Sequence, residues 1–142
     1  MEWMLLPYKR YFDFSGRSRR KEYWMFFLLF VVVYAIGGAL MFSGMPMTQS
    51  AAENFASQGP GVGSMIGTGI LGIFVLASFI PAIAVQVRRF HDQDKSGWFC
   101  LLNLIPYLGG LIVLVFMCLE GTKGPNRFGA DPKDPTSAGV FE

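Results

Sequence analysis

Three long stretches of the chain contain no Asp, Glu, Lys or Arg: Tyr23 to Ala52, Asn54 to Val87 and Ser96 to Leu119. The polar positions crowd into what is left, a 22-residue leader, a short turn at 88–95 and a tail from Glu120. About 20 apolar residues in a helix cross a hydrocarbon core about 30 Å thick. The pattern therefore predicts transmembrane helices at about 23–43, 64–87 and 97–119 in a single domain, 1–142. The leader, 1–22, reads as an interfacial cytoplasmic segment and 120–142 as a polar tail. The expected fold is an all-α membrane protein with an amphipathic N-terminal segment and three transmembrane helices.

Local residue choices sharpen this outline. Met4, Tyr8, Tyr11 and Phe12 recur at helical spacing, with Lys9, Arg10 and Asp13 between them, as in a segment lying at a lipid interface. Tyr23 and Trp24 stand where an interfacial aromatic belt belongs. Gly37-Gly38 in the first span, and Gly63, Gly67, Thr68 and Gly72 in the second, offer the small-residue faces that let membrane helices approach closely. Pro81 predicts a kink in the second span. Residues 44–64 form a connecting loop with room for a short helix near Ser50–Ser57. Pro106, Tyr107 and Gly109-Gly110 predict that the third helix is kinked or broken near Pro106–Gly110. One form of that break is a re-entrant hairpin, which would return the tail to the cytoplasmic side.

Composition agrees: hydrophobic residues make up 52% and charged residues 15%, against about 25% in soluble proteins. Soluble globular, disordered and disulfide-rich secreted classes are excluded. Cys100 and Cys118 would lie about 27 Å apart on one straight helix, too far for a bridge. The first apolar block is longer than a signal-peptide core and reads as an uncleaved anchor. A net charge of +2 is too small for a nucleic-acid partner. Lys and Arg number six in the leader, none in the 44–64 loop and three in the 88–95 turn. The positive-inside rule thus places the N-terminus in the cytoplasm.

Two motifs concentrate the chemistry. One is Phe12-Asp-Phe-Ser-Gly-Arg-Ser-Arg-Arg-Lys-Glu-Tyr-Trp24. The other is Val87-Arg-Arg-Phe-His-Asp-Gln-Asp-Lys-Ser-Gly-Trp98, followed by Ile105-Pro106 and Gly121-Thr-Lys-Gly-Pro-Asn-Arg-Phe-Gly-Ala-Asp-Pro132. In this order they resemble domain-of-unknown-function family 805, the YhaH-like small bacterial inner-membrane proteins, over about residues 8–132. The resemblance implies a multi-pass protein of the bacterial inner membrane and brings no activity, cofactor or catalytic residue with it.

The leader motif and the 88–95 turn fall on the same side of the membrane, because two spans separate them. Asp92 is i,i+4 from Arg88 and i,i+3 from Arg89, so it can pair with either, leaving other arginines for Glu22, Asp13 or lipid phosphate. Arg17, Arg20, Glu22, Arg88, Arg89, His91 and Asp92 are the expected cluster for anionic headgroups or a membrane-protein partner, which includes a second copy of the chain. His91 is the lone histidine and no metal-ligand set surrounds it, so no cofactor, metal or catalytic residue is expected. The expected function is non-enzymatic, structural or accessory. A subunit of an oligomeric transporter or channel is the alternative, and a lipid-modifying enzyme ranks third.

Overall fold

The computed structural model describes residues 2–43 and 60–134. The short helix expected near Ser50–Ser57 lies outside the described residues. Among the described residues four α-helices and one 3₁₀-helix follow in chain order: α1 Glu2–Lys9, α2 Arg20–Ser43, α3 Val62–Asp92, the 3₁₀-helix Gly97–Leu104, and α4 Leu108–Cys118. Among the described residues the only β-type pairing is an isolated bridge between Asn126 and Gly129. The all-α expectation holds.

Among the described residues two helices are long and apolar enough to cross a membrane, the 24-residue α2 and the 31-residue α3. At 1.5 Å per residue they extend about 36 and 46 Å, so the polar last turn of α3 can stand clear of a 30 Å core. Only 11% of the most apolar window of α2 and 22% of that of α3 is buried within the protein. Side chains such as Val31, Ile36, Ile66, Ile73 and Leu76 point outward, as helices solvated by lipid tails require.

The chain forms two compact units, with the boundaries inside α2 and α3. One unit is residues 28–78. Its two helical stretches meet at glycines. A Cβ on Gly67 would fall 2.6 Å from the Gly37 carbonyl oxygen and 2.6 Å from the Met41 nitrogen, so this contact is backbone against backbone. A Cβ on Gly37 would strike Leu71 at 2.7 Å. Phe74 packs edge-on against Phe30, with ring centroids 4.9 Å apart. Gly38 and Gly72, with open space at their Cβ positions, take no part.

The other unit comprises 1–27 and 79–142. Its apolar core is Phe90, Val113 and Met117, packed on by Tyr23, Cys100, Leu102 and Phe116. Here the third apolar block departs from one continuous helix. The break predicted near Pro106–Gly110 divides it into the 3₁₀-helix and the 11-residue α4. Ile105, extended as a residue before proline should be, ends the first half. Tyr107 then adopts φ 65°, and the Leu108 N–H donates to the Pro106 carbonyl at 2.7 Å. This is a three-residue γ-turn, a sharp and costly reversal. Each half is about 16 Å long, half a hydrocarbon core. They fold back on each other, so closely that a Cβ on Gly109 would fall 1.8 Å from the Leu102 carbonyl oxygen.

Candidate functional site

The polar cluster forms where the leader, the last turn of α3 and the tail converge. Helix geometry sets its sign pattern. Glu22 lies in the first turn of α2, and Arg89 and His91 in the last turn of α3. The charges of Glu22 and Arg89 thus suit the ends of the helix dipoles they occupy. Arg88 and Arg89 are fully buried, Glu22 and Asp92 nearly so.

Arg88 binds the leader. Its guanidinium donates to Glu22 Oε1 at 3.0 Å, to Ser18 Oγ at 3.1 Å, and to the carbonyls of Arg10 and Asp13. Ser18 in turn donates to Glu22 Oε2 at 2.8 Å, and its backbone N–H donates to the Arg88 carbonyl. Asp92 serves two arginines. Arg17 Nε donates to its Oδ1 at 3.0 Å and Arg89 donates to its Oδ2. Of the two pairings that spacing allows Asp92, the i,i+3 pair with Arg89 forms, while Arg88 turns to Glu22 instead.

The tail closes the cluster. Arg17 donates to the carbonyls of Gly124, at 2.6 Å, and Thr122. The N–H of Thr122 donates to the Asp92 carbonyl at 2.8 Å, and Asn126 Nδ2 donates to the His91 carbonyl at 2.9 Å. Gly121 lies so close to Asp92 that a Cβ there would come within 2.0 Å of its carboxylate. Arg89 reaches the Leu119 carbonyl, and Gln93 Nε2 reaches the Phe116 carbonyl, both at the end of α4. Phe90 contacts Phe99 and Phe116, with centroids 5.8 Å away in each case. Both ends of the third apolar block therefore rest against the same turn.

All seven residues expected in the cluster come together in this unit, and their orientation differs from that of an open binding surface. The guanidiniums of Arg17, Arg88 and Arg89 point inward and donate to carboxylates, carbonyls and the Ser18 hydroxyl, while Arg89 Nε is buried without a partner among the described residues. Burial lowers the pKa values of Arg88 and Arg89, and the neighbouring carboxylates oppose that shift. Arg20 remains partly exposed, donating to the Cys118 carbonyl at 3.0 Å and to Glu120. His91 is half-buried against Phe128. Ser18, Gln93, Thr122, Gly124 and Asn126, which lie within the sequence motifs but were not among the expected cluster residues, join as partners. A polar, glycine-rich tail with no apolar run was the available signal that its backbone takes part in the cluster. Among the described residues no group of three or more His, Cys, Asp or Glu could hold a metal ion, and Cys100 and Cys118 are free thiols.

Outward-facing apolar helices long enough to cross a membrane define an integral membrane protein. The family model described as "Protein of unknown function (DUF805)" matches residues 11–130. Inner membrane protein YhaH of Escherichia coli K12 is 47% identical over 133 residues, 94% of this chain and 98% of the relative. Inner membrane protein YhaI of the same strain is 40% identical over 134 residues, 94% and 97% of the two chains. The uncharacterized protein YiiR of that strain is 24% identical over 148 residues, 87% of this chain and 88% of the relative. The chain belongs to the DUF805 family, and its relatives YhaH and YhaI are inner membrane proteins. No solved structure matches it.

Proposed function

We propose that the protein is a non-enzymatic component of the bacterial inner membrane that crosses it twice and keeps both ends in the cytoplasm. On this reading it holds anionic headgroups at the basic rim of its leader. The observation that carries the topology is the return of α4 and the tail to the turn that ends α3. The third apolar block is then a re-entrant hairpin in place of a third crossing, with its broken backbone covered by protein. Charge supports the same arrangement. Two crossings put all twelve Lys and Arg on one side of the membrane and none on the other, a stronger bias than three crossings give.

The headgroup role falls to residues outside the buried network. Arg19 and Lys21 flank the Trp3 ring at 5.8 and 5.7 Å, and Lys9 is exposed at the end of α1. An interfacial tryptophan beside such cations suits phosphate at the headgroup level. The two spans carry no Asp, Glu, Lys, Arg or His, which argues against a solute pathway through them.

Two experiments test this reading. A C-terminal green fluorescent protein fusion should fluoresce, and an alkaline phosphatase fusion at the same point should be inactive. The reverse pair would overturn the two-crossing topology. Native mass spectrometry from mild detergent should show phosphatidylglycerol retained by the wild type, with several-fold less on Arg19→Gln/Lys21→Gln. Equal retention would remove the headgroup role.

A further inference from the structure

A cavity of about 470 Å³ opens beside the polar turn in the unit formed by 1–27 and 79–142. Its walls are apolar and aromatic, with Phe14, Val87, Trp98 and Phe128 prominent, and the imidazole of His91 stands among them. Trp98 is 77% exposed at its mouth. The cavity lies where the polar turn meets the apolar 3₁₀-helix, so it combines a hydrophobic body with a polar edge at His91 and Ser96, whose Oγ accepts from the Trp98 N–H.

The state of the imidazole on that edge follows from the hydrogen bonds of His91. Nδ1 lies 3.3 Å from the Gly16 carbonyl, which can only accept, so Nδ1 carries the proton. Burial lowers the His91 pKa, and the positive charge of Arg127 acts in the same direction against the Gly16 contact. The ring is therefore neutral at pH 7, and its Nε2 is a bare acceptor. Phe128 stacks on the imidazole with centroids 3.8 Å apart and planes within 5°, which fixes the ring orientation. Gly97 keeps the approach to Nε2 clear, since a Cβ there would sit 3.2 Å from that atom. Among the described residues no side chain or backbone group donates to Nε2. A fixed acceptor at the edge of an apolar cavity selects a ligand that is apolar in body and donates a hydrogen bond from its head.

We propose that this cavity binds a membrane-soluble amphiphile with a hydroxyl head, the hydroxyl donating to His91 Nε2 and the body lying against Phe14 and Trp98. The head can be phenolic or aliphatic, because Nε2 reads only the donor. The proposal is separate from the headgroup role above, which concerns anionic phosphate at other residues.

The single histidine makes the test direct, because imidazole ¹⁵N NMR of the full-length protein in lipid nanodiscs reports one site. Titration with 4-decylphenol should move the Nε2 resonance upfield to saturation. Its methyl ether, 4-decylanisole, has the same body and no donor and should leave the resonance in place. Dodecanol separates the sources: a saturable shift with dodecanol alone assigns an aliphatic alcohol, and with decylphenol alone a phenol. Gly97→Ala places a methyl 3.2 Å from Nε2 and 2.7 Å from Val87 Cγ1 on the cavity wall, and should abolish the shift. His91→Phe keeps the ring stack and removes the acceptor, and should weaken calorimetrically measured binding about five- to tenfold. Equal shifts from the phenol and its ether would overturn the proposal, as would the lack of a saturable shift with both hydroxyl probes.

Discussion

Residues 28–78 and the remainder of the chain are held together by different physics. In 28–78 the helices touch through the backbone at Gly67, Gly37 and Met41, and through the rings of Phe30 and Phe74. Lipid tails are as apolar as leucine, so burying such a face gains little from the hydrophobic effect. What counts is how closely the backbones approach. In the other unit buried ion pairs hold the elements together: Arg88 with Glu22, and Arg17 and Arg89 with Asp92. There the desolvation of each charge is offset only while its partners stay in place. Removing a charged partner should therefore damage the second unit, whereas 28–78 should answer chiefly to volume added at its glycine contacts.

The largest effect should come from Asp92→Ala. It strands Arg17 and Arg89 in a buried site with no carboxylate, at a cost of about 3–5 kcal/mol. Thermal unfolding in detergent should show a large drop in Tm, and the tail held by Arg17 should become open to proteolysis between Gly121 and Asp134. Arg127→Ala is the matched control, since it breaks an exposed pair with Asp94 and should cost about 0–1 kcal/mol. Equal losses from the two substitutions would mean that the buried network does not hold the unit.

Next come two glycine substitutions within 28–78. Gly67→Ala drives a methyl into the backbone of Gly37 and Met41 and should cost about 1–3 kcal/mol. Gly72→Ala meets nothing within 4 Å and should stabilise the helix by about 0.5–1 kcal/mol. Chemical denaturation of both variants checks the pair. A neutral Gly67→Ala would show that the helices can move apart there at little cost.

These contrasts mark how much could be seen in the sequence. The spans were legible because runs of more than 20 residues without charge rarely occur outside a membrane. Gly67 and Gly37 were legible as small-residue candidates, but Gly38 and Gly72 looked equally suitable, since one-dimensional spacing does not say which face meets a neighbour. The members of the polar cluster were legible because two intervening spans put both motifs on one side. Their inward orientation was not, because it depends on backbone carbonyls, those of Thr122, Gly124 and Leu119 for example, which no side-chain pattern reveals. The Pro106–Gly110 break could be predicted from composition. The full reversal rests on the positive φ of Tyr107, a residue that ordinarily avoids it, and on the space that Gly109 leaves for Leu102.

The smallest effect concerns acid, and it sharpens the comparison because the described part of 28–78 contains no Asp, Glu, Lys, Arg or His. Asp13, in the leader, has its pKa lowered from 3.8 to about 2, chiefly by the Ser15 hydroxyl, with Arg10 adding a further ion pair at 2.7 Å. A depressed carboxylate pKa means that the unfolded chain takes up its proton first as pH falls. The stabilisation is therefore complete above about pH 4 and lost towards pH 2. Because the carboxylate is about one-third exposed, solvent screens the pair and the effect is modest. Asp13→Asn should be less stable than the wild type at pH 6, and the gap should close between about pH 4 and pH 2. Arg88 donates to the Asp13 carbonyl, which the substitution leaves intact, so the gap isolates the carboxylate. A gap that stays constant through that range would place the contribution of Asp13 in its backbone contacts alone.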